Sequence, residues 1–248
     1  MSSIGTGYDL TTTTFSPDGK IFQVDYAQKA IDNSGTAIGI RCKDGVVLGV
    51  EKLVISKMLV EGSNRRIFSC DLHAGIATSG LAADGRQIVN RARAEAANFK
   101  NFFGDAIPGE VLCDRIASYK HLFTLYGTRP YGVGTLLAVY DEEGPQLYQI
   151  EASGVGMRYF GTAVGKGRQG AKTEIERLKL SEMTCREGVL AVAKIIYQVH
   201  DDAKDKAFEL ELSWVCDESQ RRHERVPADL HATAETAAKA ALEDDDDD

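Results

Sequence analysis

A reverse turn close to the start of the chain constrains the fold more than any other short segment. Pro17 sets φ for a turn, Asp18 can bond its own backbone, and Gly19 tolerates a positive φ. Hydrophobic side chains stand on both arms of this turn, at Phe15, Ile21, Phe22, Val24 and Tyr26. Because both arms have apolar surface to bury, we expect the first residues to dock on the domain rather than to form a loose tail.

The next hundred or so residues predict strands and then helices. Residues 36–42 and 46–52 are rich in β-branched side chains, and the Asp-Gly pair between them is typical of a hairpin turn. Two more short strands are expected at 67–70 and 74–79. Hydrophobic side chains at spacings of three and four then predict two helices, the first ending at Gly104 and the second opening at Pro108.

The second half of the chain repeats this order. A second strand block is expected at about 134–165, and Thr184 with Glu187 forms a capping box before an apolar helix face. Two further strands and a last, alanine-rich helix follow, at 208–216, 222–226 and from Pro227. Strands, helices, strands and helices in this order are typical of an α+β fold with two stacked antiparallel sheets covered by helices on both outer faces. The pattern alone does not fix the layers.

Length and charge limit the classes of function. A chain of 248 residues with 43% hydrophobic side chains can bury one core, so we expect a single domain over 1–242 and an acidic disordered tail at 243–248. The net charge is −8, and that tail supplies six of the negative charges, which leaves −2 for the body. The chain therefore has no basic footprint for nucleic acid. It also has no apolar run near the ~18 residues that a membrane span needs.

The N-terminal turn belongs to a longer string that resembles a known family. The string is similar to the N-terminal signature of proteasome α-type subunits at Tyr8-Asp9, Phe15–Gly19, Gln23-Val24 and Tyr26-Ala27. Later segments resemble the same family at 34–52, 78–86, 124–134 and 163–176. The resemblance covers almost the whole chain, which makes a chance match to a short motif a poor explanation.

The resemblance implies a four-layer αββα sandwich, the N-terminal nucleophile hydrolase fold. It implies a noncatalytic subunit, without a cofactor, that joins other α-type subunits in the heptameric ring capping the β rings of the 20S core particle. The implied partners are neighbouring α-type and β-ring subunits, the regulatory particle or other activators, and unfolded polypeptide at the axial pore. The implied location is the cytoplasm and nucleus, with no nucleic-acid or membrane partner.

Two sets of residues follow from matching the family motifs. The gate set is Tyr8, Asp9, Pro17 and Tyr26, within a gate segment and ring-contact helix at 1–35. A phenol and a carboxylate can hydrogen-bond between adjacent tails, and the proline fixes the turn that aims them. The alternative is that each tail simply docks on its own domain.

The second set matches the family pocket that receives the C-terminal tails of activators. A lysine of the family meets the activator carboxylate there, whereas this chain has Arg66 at that position, with Gly80 and Leu81 also matching the pocket. Arginine can bind a carboxylate, but its planar fork is not the compact charge of a lysine. This departure weakens the expectation of activator docking at this subunit.

The Gly35-Thr36 pair raises the question of catalysis, since catalytic β-type relatives expose an N-terminal threonine by cleavage after a glycine. A free amine would let Thr36 act as both nucleophile and base. When the strands are aligned with those of the catalytic relatives from the Asp44-Gly45 turn, the nucleophile position falls on Gly35 instead. The lysine that tunes the nucleophile in those relatives is matched near Arg66, which cannot shuttle a proton. We expect 1–35 to be retained and no residue to be catalytic, with a self-processed threonine hydrolase as the alternative.

Two other kinds of site are weakly indicated. Residues 165–170 match G-x-G-x-x-G, but a dinucleotide site needs a strand within about thirty residues, and a helix is predicted at 184–203 instead. A tight turn is favoured, with a phosphate at the helix N-terminus as the alternative.

The histidines lack ligand spacing, so no metal is expected, and His200-Asp201 is predicted to be a solvated helix end. The cysteines are predicted to be reduced and buried, at Cys42, Cys70, Cys113, Cys185 and Cys216.

Overall fold

The structure is a computed structural model that describes residues 7–60, 62–201 and 207–246. The first six residues of the predicted gate segment lie outside the described residues. Of the predicted acidic disordered tail, 247–248 also lie outside them, whereas the backbone of 243–246 is described and is helical.

Ten strands and six helices form within the described ranges. The strands are β1 (Ala37–Cys42), β2 (Gly45–Leu53), β3 (Ile67–Asp71), β4 (Ala74–Gly80), β5 (Val133–Asp141), β6 (Gly144–Ile150), β7 (Gly156–Tyr159), β8 (Gly161–Val164), β9 (Phe208–Cys216) and β10 (His223–Arg225). The helices are α1 (Phe22–Asp32), α2 (Ala82–Phe103), α3 (Gly109–Leu125), α4 (Arg168–Glu176), α5 (Cys185–Val199) and α6 (Ala228–Asp246).

The strands build two five-stranded antiparallel sheets among the described residues. The first sheet has the order β10-β9-β2-β1-β8, and the second has the order β3-β4-β5-β6-β7. Cys42 pairs with Gly45 at the end of the first hairpin, so its turn is Lys43-Asp44. The local signals also place helix ends correctly: Gly104 ends α2 in the left-handed conformation, and the capping box of Thr184 and Glu187 opens α5.

Helices cover the outer face of each sheet. Hydrophobic side chains of α4, α5 and α6 pack on the first sheet around the fully buried Trp214. Those of α2 and α3 pack on the second sheet around Ile76, Leu112 and Ile116. The four-layer αββα sandwich predicted from the sequence is therefore confirmed. None of the described helices combines the length and the hydropathy needed to cross a bilayer.

A third hydrophobic cluster lies between the two sheets and includes the first helix. Ile31 of α1 is 1% exposed and Ala27 is 8% exposed, and both belong to this inter-sheet cluster. A Cβ on Gly134 of β5 would lie 3.1 Å from the Ile31 side chain, so helix and strand are already in van der Waals contact. The first helix is thus part of the core rather than an appendage.

A buried lysine joins helix α3 to the second sheet. The ammonium group of Lys120 donates to the carbonyl oxygens of Val133, at 2.7 Å, and Ile150, at 3.0 Å. Burial lowers the pKa of Lys120 to about 7. Without this side chain, both carbonyls would lose a buried hydrogen-bond donor. Lys120 therefore satisfies polar backbone groups inside an otherwise apolar interface.

A histidine links the edges of the two sheets. His223 of β10 lies between Ser69 of the second sheet and Ser213 of the first, with ring nitrogens 2.7 and 3.0 Å from the two hydroxyl oxygens. Burial, with a smaller effect of nearby Arg65, lowers the pKa of His223 to about 4. The ring is therefore neutral at pH 7. It lies directly on Gly75 of β4, where an added Cβ would come within 2.0 Å of it.

Gly75→Ala is expected to lower the free energy of unfolding by about 1–3 kcal/mol, because the new methyl group must displace the His223 ring. Chemical denaturation measures the loss. The matched control is the same substitution in a His223→Ala background, where we expect a smaller loss because the clash is gone. An equal loss in both backgrounds would show that the ring does not limit this position.

Candidate functional site

The predicted N-terminal turn is present. Gly19 N–H donates to the Ser16 carbonyl at 2.9 Å, and Gly19 has a φ of 74°. The bonds continue on both arms of the turn, because Ser16 N–H donates to the Lys20 carbonyl at 2.9 Å and Lys20 N–H donates to Ser16 Oγ at 3.1 Å. The turn is a closed hydrogen-bonded unit that leads directly into α1.

Two of the four predicted gate residues contact each other. The Tyr26 hydroxyl donates to Asp9 Oδ2 at 3.1 Å, and the Gln23 side-chain amide donates to the Asp9 carbonyl oxygen. Partial burial and the bond to Asp9 raise the pKa of Tyr26. Tyr8 and Pro17 are exposed. The segment before α1 thus docks on α1 of its own chain, and bonds between adjacent tails stay a prediction.

The loop after α3 is fixed by hydrogen bonds to a carboxylate of α2. Arg129 donates to both carboxylate oxygens of Asp84, at 2.7 and 2.9 Å, and the Gly132 N–H donates to the same carboxylate at 2.9 Å. Burial raises the pKa of Asp84, but these hydrogen bonds outweigh it, so the pKa lies below its ordinary value. A Cβ on Gly127 of this loop would lie 3.8 Å from Thr11 Oγ1. The fixed loop therefore passes close to the N-terminal segment.

The three predicted pocket residues lie together. Arg66, Gly80 and Leu81 line a cavity of about 460 Å³, together with Ala30 at the end of α1 and Gly35 before β1. Helix, strand and loop therefore meet at the position where the family motif placed a binding pocket. Binding of an activator's C-terminal tail in this pocket stays a prediction.

Within this pocket, Arg66 is already engaged by its own chain. Its guanidinium donates to the Gly80 carbonyl oxygen at 2.7 Å, and its backbone N–H donates to Glu211 Oε2 at 2.8 Å. Burial lowers the pKa of Arg66, which the nearby Glu211 carboxylate partly offsets. The guanidinium of Arg66 is thus already bonded to the wall of the pocket.

Thr36 is fully buried immediately before β1. Its backbone N–H donates to Glu51 Oε2 at 2.8 Å, and its hydroxyl accepts a bond from the Gly167 N–H at 3.0 Å. The preceding carbonyl, of Gly35, accepts a bond from the Ser79 hydroxyl at 2.7 Å. A threonine that uses its own amine as the base requires a free amine and an accessible hydroxyl, whereas both groups of Thr36 are engaged inside the protein.

One prediction about this region was wrong. His200 is not a solvated helix end: its side chain is 4% exposed, and Nδ1 lies 2.5 Å from Glu51 Oε1. The ring also packs against Phe208 with centroids 4.5 Å apart. No local pattern signals this buried pair, because its members are separated by 149 positions.

The glycine-rich segment forms the predicted tight turn between β8 and α4. Gly165 has a φ of 99°, Lys166 N–H donates to the Ser34 carbonyl at 2.9 Å, and Gly167 N–H donates to Thr36. Arg168 pairs with Asp32 at 2.8 Å. The element after α4 is another helix rather than a strand, so the segment does not open a dinucleotide-binding unit.

A metal site and the cysteines are the remaining candidates for chemistry. Within the described ranges, no group of three or more His, Cys, Asp or Glu side chains is arranged to hold a metal ion. All five cysteines are free and buried, as predicted.

Two family models match this chain. A family model described as "Proteasome subunit" matches residues 31–215. The chain belongs to the proteasome subunit family. A second model, which describes the N-terminal signature of the α-type members, matches residues 8–30, which hold the turn, the Asp9–Tyr26 bond and most of α1. The recognised signature is thus the same segment that docks on the domain.

Several relatives are matched over nearly the whole length of both chains. The alpha type-3 proteasome subunit of Oryza sativa subsp. japonica is 68% identical over 247 residues, which is 99% of each chain. Proteins of the same name from Acanthamoeba castellanii and Drosophila melanogaster are 61% and 49% identical, and in each case at least 98% of both chains is covered. The chain is therefore similar to alpha type-3 subunits from end to end.

Proposed function

We propose that this chain is a noncatalytic member of the α ring of the 20S proteasome core particle, acting in ubiquitin-dependent protein degradation in the cytoplasm and nucleus. As a single domain over 1–242, it packs against neighbouring α-type subunits and against β-ring subunits. Unfolded polypeptide passes the pore that the ring surrounds. It uses no cofactor and no nucleic-acid or membrane partner.

The burial of α1 in the inter-sheet core supports this proposal most directly. To expose an amine on Thr36, cleavage would have to remove residues 1–35, which include Ile31 and Ala27 of that core. Full burial of one isoleucine stabilises a fold by about 1.5–3 kcal/mol. Removal of the helix would lose this stabilisation and would leave a hydrophobic cavity between the sheets. The segment that a catalytic subunit discards is a structural part of this one.

The gate role rests on the docked N-terminal segment. We infer that Pro17 and its turn aim the first residues toward the axial pore, and that Tyr8, Asp9 and Tyr26 hold them there. The Asp9–Tyr26 bond of 3.1 Å supplies an anchor at the base of that segment. Loss of the anchor would free the segment to leave the pore.

Tyr26→Phe is therefore expected to raise the hydrolysis of a small fluorogenic peptide by the assembled particle several-fold in the absence of an activator. The substitution removes one hydroxyl and keeps the ring, so the stacking of Tyr26 on Phe22 is retained. Initial rates on purified particles measure the effect.

Tyr126→Phe serves as the matched control, because Tyr126 is an exposed tyrosine at the end of α3. We expect this variant to hydrolyse the peptide at the wild-type rate. A Tyr26→Phe particle as slow as wild type would contradict the anchoring role.

The pocket of Arg66, Gly80 and Leu81 is proposed to be a weak activator site. Because the Arg66 guanidinium already holds the Gly80 carbonyl, a bound carboxylate would have to compete for it, and Glu211 would repel that carboxylate. Lysine carries its charge on a compact ammonium group at the end of a flexible side chain, and this group can turn toward a ligand.

Arg66→Lys is expected to tighten binding of an activator's C-terminal peptide to this subunit several-fold. Photo-crosslinking of a labelled peptide to the particle, followed by subunit identification, gives the affinity at this pocket. Arg65→Lys is the control, since the neighbouring side chain does not line the cavity. Equal or weaker crosslinking of the Arg66→Lys particle would show that the arginine does not limit docking.

A further inference from the structure

A cavity of about 580 Å³ opens where the α2–α3 loop, the β5–β6 hairpin and the turn after β9 meet. It lies at the end of β5, whereas the pocket of Arg66 lies at the start of that strand, where Val133 pairs with Gly80. The nine residues of β5 span about 27 Å, so the two sites lie at opposite ends of the second sheet. The cavity is therefore separate from the pocket and from the N-terminal segment.

Hydrogen bonds within the chain fix the walls of this cavity. The Gly109 N–H at the start of α3 donates to Asp141 Oδ2 at 2.9 Å, which joins the helix to the β5–β6 hairpin. The Tyr140 hydroxyl donates to Asp217 Oδ1 at 2.8 Å, which joins the end of β5 to the turn after β9. A ligand would thus enter a preformed site and would not have to order its walls.

Aromatic side chains form part of the lining. Phe99 and Phe103, one turn apart on α2, have ring centroids 4.5 Å apart, and Tyr140 of β5 also lines the cavity. Phe103 is 67% exposed, and the neighbouring Phe102 is 85% exposed. Contiguous exposed apolar surface of this kind marks an interaction site.

Two carboxylates at the cavity remain available to a partner. Asp105 and Glu142 both line the cavity and are exposed, and within the described ranges neither forms an ion pair. Glu143 differs, because it pairs with Arg158 at 3.6 Å. The cavity therefore combines aromatic surface with negative charge, which is complementary to a cationic ligand.

One wall of the cavity already holds a guanidinium of this chain. The Arg221 guanidinium carbon lies 4.8 Å from the centroid of the Tyr140 ring, and Arg221 Nε lies 3.7 Å from Asp217 Oδ1. A planar guanidinium can stack on an aromatic face and donate to a carboxylate at the same time. Phe103 and the two available carboxylates offer the same combination in the rest of the cavity.

We propose that this cavity binds an extended segment of a partner protein through an arginine side chain. The guanidinium stacks on Phe103 and donates to Asp105 and Glu142, and an apolar residue next to the arginine covers Phe102. Arginine fits better than lysine, because an ammonium group is more strongly hydrated and has no planar face. The volume of about 580 Å³ lies within the range of about 300–1,000 Å³ typical of ligand pockets, so it can hold more than one side chain.

The test measures binding of a short peptide to the full-length chain, so it does not depend on the proposed place of this chain in a ring. The probe is fluorescein-labelled Gly-Leu-Arg-Leu-Gly, followed by fluorescence anisotropy. The matched probe has citrulline in place of arginine, which keeps the planar shape and removes the charge. We expect the citrulline peptide to bind several-fold more weakly, and we expect added salt to reduce the difference.

Two substitutions test the two parts of the site. Glu142→Gln removes a charge and Phe103→Leu removes a ring, and since both side chains are exposed, neither change should disturb folding. Each is expected to weaken binding of the arginine peptide several-fold. Glu182→Gln is the matched control, because it makes the same change of charge at a carboxylate that is 72% exposed and does not line the cavity. We expect this control to bind the arginine peptide as the wild type does.

A photoreactive form of the arginine peptide locates the site. We expect crosslinks to the end of α2 or to the β5–β6 hairpin. The proposal is overturned if neither peptide binds, if the citrulline peptide binds as tightly, or if the crosslinks lie on another surface. It is also overturned if Glu182→Gln weakens binding as much as Glu142→Gln, since the effect would then come from net charge alone.

Discussion

The packing of α1 between the ends of the two sheets is the contact on which the rest of the structure depends. Ile31 and Ala27 close the inter-sheet core, and the chain then runs without interruption through Gly35 into β1. Because the helix is anchored in the core, the turn and the docked segment before it have a fixed base. The same anchoring makes residues 22–32 a part of the domain core.

Around that junction, polar groups that could serve chemistry are committed to structure. Glu51 accepts bonds from Thr36 and His200, Arg66 holds the Gly80 carbonyl, and Glu211 accepts the backbone N–H of Arg66. A buried charge is tolerated only when such bonds satisfy it. Each of these groups is therefore engaged within the protein.

Features with a local physical cause could be predicted from the sequence. The turn at 16–19, the first hairpin and the capping box of Thr184 each depend on residues within a few positions of one another. The order of strands and helices then indicated two covered sheets, and the family resemblance supplied the layers. The cysteines could be predicted to be buried from their type and spacing.

Features made by distant residues could not be predicted in this way. The His200–Glu51 pair and the contact of His223 with Gly75 join residues that only the fold brings together. Nothing in a helical or alternating pattern marks Lys120 as the buried donor to two strand carbonyls. Polar pairs of this kind decide which groups remain available, so they bear on function more than the pattern of apolar residues does.

The intact mass of this chain, recovered from its native particle, tests the central claim most directly. The account predicts a mass that retains residues 1–35, with at most loss of Met1 and acetylation of the new terminus. Thr36 then has no free amine, and α1 remains in the core. A mass that begins at Thr36 would contradict the account and would make this chain a processed threonine hydrolase.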